Sequence, residues 1–192
     1  TFLQRAYDQM IEDVCLQNNP VVFLMDRAGL GGDDGPTHHG VFGLGFIRQM
    51  PNIKLFNPRN NDELVEIMEK SPEWACPVAI WYPKAEGALQ AGLQKRGFVE
   101  GKNEILFEGS RLCLIASGSA LDLAIELREK LENRGYSCEL ASASSIKPFD
   151  FEHLQRLKME NKPYFVIEEN NYSGGIASML MEEALKQGFS SP

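Results

Sequence analysis

The chain has 192 residues, enough for one large domain or two small ones, and its 43% hydrophobic and 24% charged content is that of an ordinary globular protein. A net charge of -8, with no Lys/Arg block and no acidic tail, excludes a nucleic-acid binder and a surface drawn to anionic membranes. No apolar run approaches the roughly 18 residues of a membrane span, and no signal peptide is visible. The four cysteines, Cys15, Cys76, Cys113 and Cys138, are too widely spaced for a zinc site or a Cys-x-x-Cys pair. Cys113 and Cys138 lie in apolar runs and read as core thiols of a reduced, cytoplasmic protein. The chain opens at Thr1 in a helix-like segment without an initiator Met, which reads as a piece of a larger protein.

In chain order, residues 1–17 carry Phe2, Ala6, Met10, Ile11, Val14 and Cys15 at the i, i+4, i+8 spacing of an amphipathic helix, ended by Asn18-Asn19-Pro20. Arg5 falls beside that apolar face, as a snorkelling side chain would. Val21 to Met25 reads as a buried strand, residues 42–50 as a short helix or turn, and Ile53 to Asn57 as a second strand. A helix follows to about Lys70, with Asn60 or Asn61 as cap and Leu64, Ile67 and Met68 inward, and then a third strand, Val78 to Tyr82. Strand, helix, strand at this spacing implies a parallel sheet with right-handed crossovers. Residues 85–103 are polar, Gly-rich and aperiodic, and read as a linker.

A second module starts near Glu104. It reads as a strand at 112–116, a helix at 120–133 stopped by Gly135, a strand at 138–143, a helix at 151–160 capped by Asp150, a strand at 164–167 and a helix at 176–187. Leu121, Ala124, Ile125, Leu127 and Leu131 are expected on the inner face of the first of these helices. The fold class is therefore α/β: two α/β modules with mainly parallel sheets.

Between the first strand and the residue-42 helix lies Asp26-Arg27-Ala28-Gly29-Leu30-Gly31-Gly32-Asp33-Asp34-Gly35-Pro36-Thr37-His38-His39-Gly40. A Gly-rich loop at the carboxyl end of a buried strand places polar side chains where open α/β sheets bind ligands. On composition alone it is a turn. The order of residues distinguishes it: this segment resembles the signature loop of the 1-deoxy-D-xylulose-5-phosphate synthases, thiamine-diphosphate enzymes of the transketolase superfamily. Thr1 to Gln9, Ile146 to Asp150 and Glu168 to Gly175 resemble further blocks of the same family, so the resemblance covers nearly the whole chain.

The resemblance implies residues 1–84 as a partial pyrimidine-binding domain, 85–103 as the linker and 104–192 as a transketolase C-terminal domain. It implies that Phe2 and Arg5 line the cofactor pocket, with Phe2 stacking near the aminopyrimidine. It places Asp34 and His38 on the substrate side of the thiazolium. There His38 donates to the developing oxyanion or exchanges a proton, and Asp34 orients the hydroxyl of the acceptor aldehyde. Lys84 stands where the family carries an Arg that holds the acceptor phosphate, keeping the charge but not the bidentate fork. Trp81 likewise departs from the family's Arg-Tyr-Pro-Arg-Gly run. His39 is left outside the chemistry.

The implied substrates are pyruvate and D-glyceraldehyde 3-phosphate, joined with decarboxylation by a homodimer on the way to isoprenoids, thiamine and pyridoxal. The implied cofactors are thiamine diphosphate and magnesium. The family's Gly-Asp-Gly diphosphate and metal motif is absent here, and its pyrimidine-bonding Glu lies upstream of Thr1, so this chain alone is expected to be inactive, with no metal site of its own. A split transketolase or another transketolase-type subunit, and a non-catalytic dimerisation or regulatory module, remain open at this point. Ser117-Gly118-Ser119 reads as an ordinary turn, and Glu168 with Glu169 as a strand-end pair making structural hydrogen bonds or interface contacts.

Overall fold

A computed structural model describes residues 2–31, 35–84 and 97–186. It contains two four-stranded sheets of the same plan, each with three parallel strands and one antiparallel edge. In the first, β1 (Val22–Met25), β3 (Val78–Trp81) and β2 (Lys54–Phe56) run parallel, in register Met25↔Trp81 and Leu55↔Ala79. In the second, β8 (Tyr164–Ile167), β5 (Leu112–Ala116) and β6 (Cys138–Ser142) run parallel, and β4 (Glu104–Phe107) pairs antiparallel with β6. The β3 and β6 strands are buried along their whole length, as a central position in a covered parallel sheet requires.

The first sheet's fourth strand comes from the downstream half of the chain. β7 (Ser145–Lys147) lies antiparallel on β2, so the two sequence modules share a sheet. Lys147 leaves this strand with its Nζ on the carbonyls of Arg48 (3.1 Å) and Met50 (2.5 Å), at the end of the short helix α2 (Gly43–Ile47). The largest core cluster accordingly runs through both modules, from Leu44, Ile47, Leu55 and Trp81 to Ile115, Ala141, Ile146 and Ile176.

Local chemistry sets the helix ends. Asn60 caps α3 (Asn61–Lys70) by accepting Glu63 N–H at 2.9 Å, and Asp150 caps α5 (Phe151–Met159) by accepting His153 N–H at 3.2 Å. Gly135, at φ +82°, ends the turn after α4 (Ala120–Glu132). The final helix, α6 (Ile176–Lys186), is capped by Glu168, whose carboxylate accepts Ile176 and Ala177 N–H at 2.8 Å each.

Four expectations shift. The first strand is not buried: β1 lies at the edge of its sheet, so Val22 and Leu24 are exposed and Met25 alone is buried. The opening segment is not one α-helix: a 3-10 turn, Phe2–Ala6, leads through an α-helical turn, α1 (Tyr7–Gln9), into a π turn, Met10–Cys15. Three residues per turn followed by more than four rotate the apolar positions off a common face. Met10 and Cys15 are buried, whereas Phe2 is 57% exposed. Met68 and Leu127 lie at the margins of their helices, exposed rather than inward. Of the stretch read as a linker, residues 85–96 lie outside the described residues. Residues 97–103 pack: Phe98 is buried against Phe56, Ile67, Val78 and Ile80, and its N–H donates to Glu66 at 2.8 Å. All four cysteines are free thiols, and Cys113 and Cys138 are core residues as expected.

Trp81 is buried, and its ring forms the floor under Gly40 and Gly43. A Cβ on Gly43 would stand 1.6 Å from the Trp81 ring. Gly43→Ala should therefore cost about 1–3 kcal/mol by overpacking, read as a lower denaturant midpoint at unchanged m-value. An unchanged midpoint would show that the indole has room to move.

Candidate functional site

The site is built at the carboxyl edge of the first sheet. Past the end of β1, the β1/β3 ladder continues for one more pair of bonds: Tyr82 N–H donates to Met25 O and Ala28 N–H to Tyr82 O, both at 2.9 Å. Arg27 (φ +62°) and Gly29 (φ +73°) then turn the chain through left-handed conformations. Gly29 pairs with Gly40 in both directions, N–H to O at 3.3 and 2.8 Å, and this pair closes the loop at its base. No side chain fits at Gly40, where a Cβ would lie 1.8 Å from the Arg27 carbonyl oxygen.

The two histidines have different surroundings. His39 Nδ1 accepts the N–H of Gly31 at 3.1 Å, so His39 braces the loop across its width. His38 follows a turn in which its N–H donates to Gly35 O at 3.1 Å, and its Nδ1 lies 2.9 Å from Thr37 Oγ1. The His38 ring meets Phe2 edge to face, with centroids 5.3 Å apart and planes at 83°. The Arg5 guanidinium stands over the same Phe2 ring, 5.6 Å from its centroid. Three of the residues singled out from sequence, Phe2, Arg5 and His38, are thus brought together. Lys84 is exposed just beyond the carboxyl end of β3, on the same sheet edge as the loop. Asp34 lies outside the described residues.

An exposed Phe ring beside a cation and an imidazole suits the face of a flat heteroaromatic ring, which fits the pyrimidine side of the implied cofactor. A different cluster draws attention as a metal site: Cys113, Glu139 and His153 place potential ligand atoms within 4.8 Å of one another. That carboxylate already carries the Arg156 guanidinium (2.6 Å) and the Lys162 ammonium (2.8 Å). Burial pushes the Cys113 thiol far up, away from the thiolate a metal requires. The cluster is an ion-pair network, and a divalent cation does not suit it.

Sequence reasoning did not assign Glu169 a partner in the first module. Its carboxylate reaches from the end of β8 to the base of the loop, where Oε2 accepts Leu30 N–H at 3.3 Å. Its position in the Glu168-Glu169-Asn170 run was the available signal. The neighbouring Asn171 N–H donates to Val41 O at 2.8 Å, and Gly174 packs on Gly45.

Comparison with known proteins agrees with this architecture. Residues 1–89 match the transketolase pyrimidine binding domain, and residues 101–192 match the transketolase C-terminal domain. The 1-deoxy-D-xylulose-5-phosphate synthase of Carboxydothermus hydrogenoformans is 42% identical over 185 residues, covering 95% of this chain and 29% of that protein. The enzyme of the same name from Methylacidiphilum infernorum is 39% identical over 193 residues, covering the whole chain and 31% of that protein. The chain therefore spans 29–31% of the length of these relatives. Among solved structures, a split-gene transketolase described as an inactive β4 tetramer superposes with a TM-score of 0.86 at 24% identity, over 97% of this chain and 60% of that one. The transketolase of Campylobacter jejuni superposes with a TM-score of 0.70 at 23% identity, over 98% of this chain and 32% of that one. With the two domain matches lying end to end along nearly all of its length, the chain belongs to the transketolase family, matching its pyrimidine binding domain and then its C-terminal domain.

Proposed function

We propose that this chain forms the pyrimidine-side and C-terminal domains of a 1-deoxy-D-xylulose-5-phosphate synthase. The whole enzyme condenses pyruvate with D-glyceraldehyde 3-phosphate, releasing carbon dioxide and forming the five-carbon ketose phosphate. The observation that carries the reading is the convergence of Phe2, Arg5 and His38 at the mouth of a loop whose sequence and closure leave little room for substitution. The two synthases of that name reported above support the choice within the family.

Thiamine diphosphate, when bound with magnesium, supplies the electron sink for the two-carbon unit. Phe2 and the Arg5 guanidinium over its ring would line the pyrimidine side of the cofactor pocket, where they would hold the aminopyrimidine ring. Thr37 Oγ1 lies 2.9 Å from Nδ1 of His38, and a hydrogen bond donated there would put the ring proton on Nε2, from which it could be given to an oxyanion forming on the bound substrate. Asp34 orients the acceptor's hydroxyl, and Lys84 holds its phosphate as a point charge. The domains divide within residues 85–103, and the whole enzyme works as a cytoplasmic homodimer on small molecules, without nucleic acid or membrane. Among the described residues no helix is long and apolar enough to cross a membrane.

The test is an assay of the holoenzyme carrying this chain, given pyruvate, D-glyceraldehyde 3-phosphate, thiamine diphosphate and magnesium. One carbon dioxide should be released per ketose phosphate formed. Two-carbon transfer from a ketose phosphate to an aldose phosphate, with pyruvate left untouched, would replace this reading by a transketolase.

A further inference from the structure

Glu168 and Glu169 are adjacent acids with different tasks. Glu168 stays within its own domain and caps α6. Glu169 leaves it. The β5 and β8 strands are parallel, so Ser117-Gly118-Ser119 and Glu169 emerge on one carboxyl edge, and that edge faces the loop after β1. Glu169 Oε2 accepts the Ser119 hydroxyl at 2.9 Å and Leu30 N–H at 3.3 Å, which ties the C-terminal domain to the loop's first arm.

The contact is close enough to dictate the residue opposite. A Cβ on Gly29 would lie 2.1 Å from Glu169 Oε2 and 2.9 Å from Glu169 Cβ. Gly29 is in turn bonded to Gly40, and Gly31 to His39. The carboxylate therefore presses on one arm of a closed loop whose other arm begins with His38.

We propose that Glu169 is a positioning residue, through which the C-terminal domain sets the loop that presents His38. Its kinetic consequence rests on the function proposed above; its structural consequence does not. Without the carboxylate, Leu30 N–H and the Ser119 hydroxyl lose their acceptor, and the Gly29–Gly40 base loses its backstop. A displacement of about 1 Å at a reacting group costs on the order of a hundredfold in rate.

Two readouts on the holoenzyme test this. In Glu169→Ala, the amides of the described loop residues 29–31 and 35–40 should exchange with deuterium faster, while those of α4 and α5 keep their protection. Turnover should fall by roughly ten- to a hundredfold, with thiamine diphosphate affinity unchanged. Glu169→Gln, whose amide oxygen still accepts both bonds, should recover most of each, and Ser119→Ala should show a smaller effect of the same kind. Unchanged loop exchange in Glu169→Ala overturns the proposal. So does a rise spread equally over the C-terminal helices, or a Gln variant as impaired as the Ala variant. If the parent enzyme leaves pyruvate untouched, the proposed activity falls, and the exchange comparison still decides the role of Glu169.

Discussion

Replacing His38 by alanine should lower kcat by about a hundred- to a thousandfold, the usual worth of a placed oxyanion donor or proton shuttle, with the thermal midpoint nearly unchanged. Folding should survive because His38 is only half-buried and belongs to none of the apolar core clusters among the described residues. His39→Ala is the informative contrast. His39 does not merely line the surface: it accepts Gly31 N–H inside the loop, and losing it strips a partly buried donor of its partner. About 1 kcal/mol of local stability should go, with a smaller loss of rate. Measuring kcat, thermal midpoint and thiamine diphosphate affinity for both variants separates chemistry from bracing. A larger rate loss in His39→Ala, or near-normal kcat in His38→Ala, would assign the catalytic role wrongly.

Glu139→Ala should be strongly destabilising, at about 1–3 kcal/mol, because it strips the buried His153 of its acceptor and leaves Arg156 and Lys162 with only the more exposed Glu160 as counter-charge. Glu139 is fully buried on β6 and accepts His153 Nε2–H (2.8 Å), Arg156 (2.6 and 3.1 Å) and Lys162 (2.8 Å), while Asn103 donates to His153 Nδ1 at 2.9 Å. Burial by itself would raise the Glu139 carboxyl. The hydrogen bonds from His153, Arg156 and Lys162 outweigh it and hold the group well below the usual carboxylate range. In the unfolded chain the same carboxyl titrates near about pH 4.3. Between those two values the unfolded state takes up a proton that the folded state refuses. The contribution is therefore fully present above about pH 4–5 and is lost as pH falls further. Urea midpoints should drop between pH 6 and pH 3, and the drop should shrink in Glu139→Gln, which keeps the shape and loses the charge. Parallel pH curves for the two proteins would rule out Glu139 as the source.

The carboxylate network and the loop illustrate what kind of information each level holds. Apolar periodicity marked every long helix except the first, and the apolar runs at 22–25, 78–81, 112–116, 138–142 and 164–167, because those signals are written within a few residues. Caps were equally local: Asn60, Asp150 and Gly135 act on neighbours three or four positions away. The loop could be placed at a sheet edge because a glycine-rich run must follow the strand that precedes it. The short strands were another matter. Ser145-Ile146-Lys147 is too brief to alternate visibly, and nothing within it says that it will pair with Leu55 and Phe56 of the other module. Phe98 hid in a polar stretch because its partners, Phe56 and Ile67, are far away in sequence. Phe2 was counted with Met10 and Cys15 on one helical face because a 3.6-residue period was assumed where the backbone alternates between tighter and wider turns. Nothing within the strand at 138–143 marks Glu139 as the centre of a network with His153, Arg156 and Lys162. The sequence by itself thus determined which segments become helix and strand, and where a ligand loop would stand. Only the tertiary structure decided which segments pair, which charges meet in the core, and that Glu169 rests on Gly29, because each of those is a contact between residues whose separation along the chain carries no local signal.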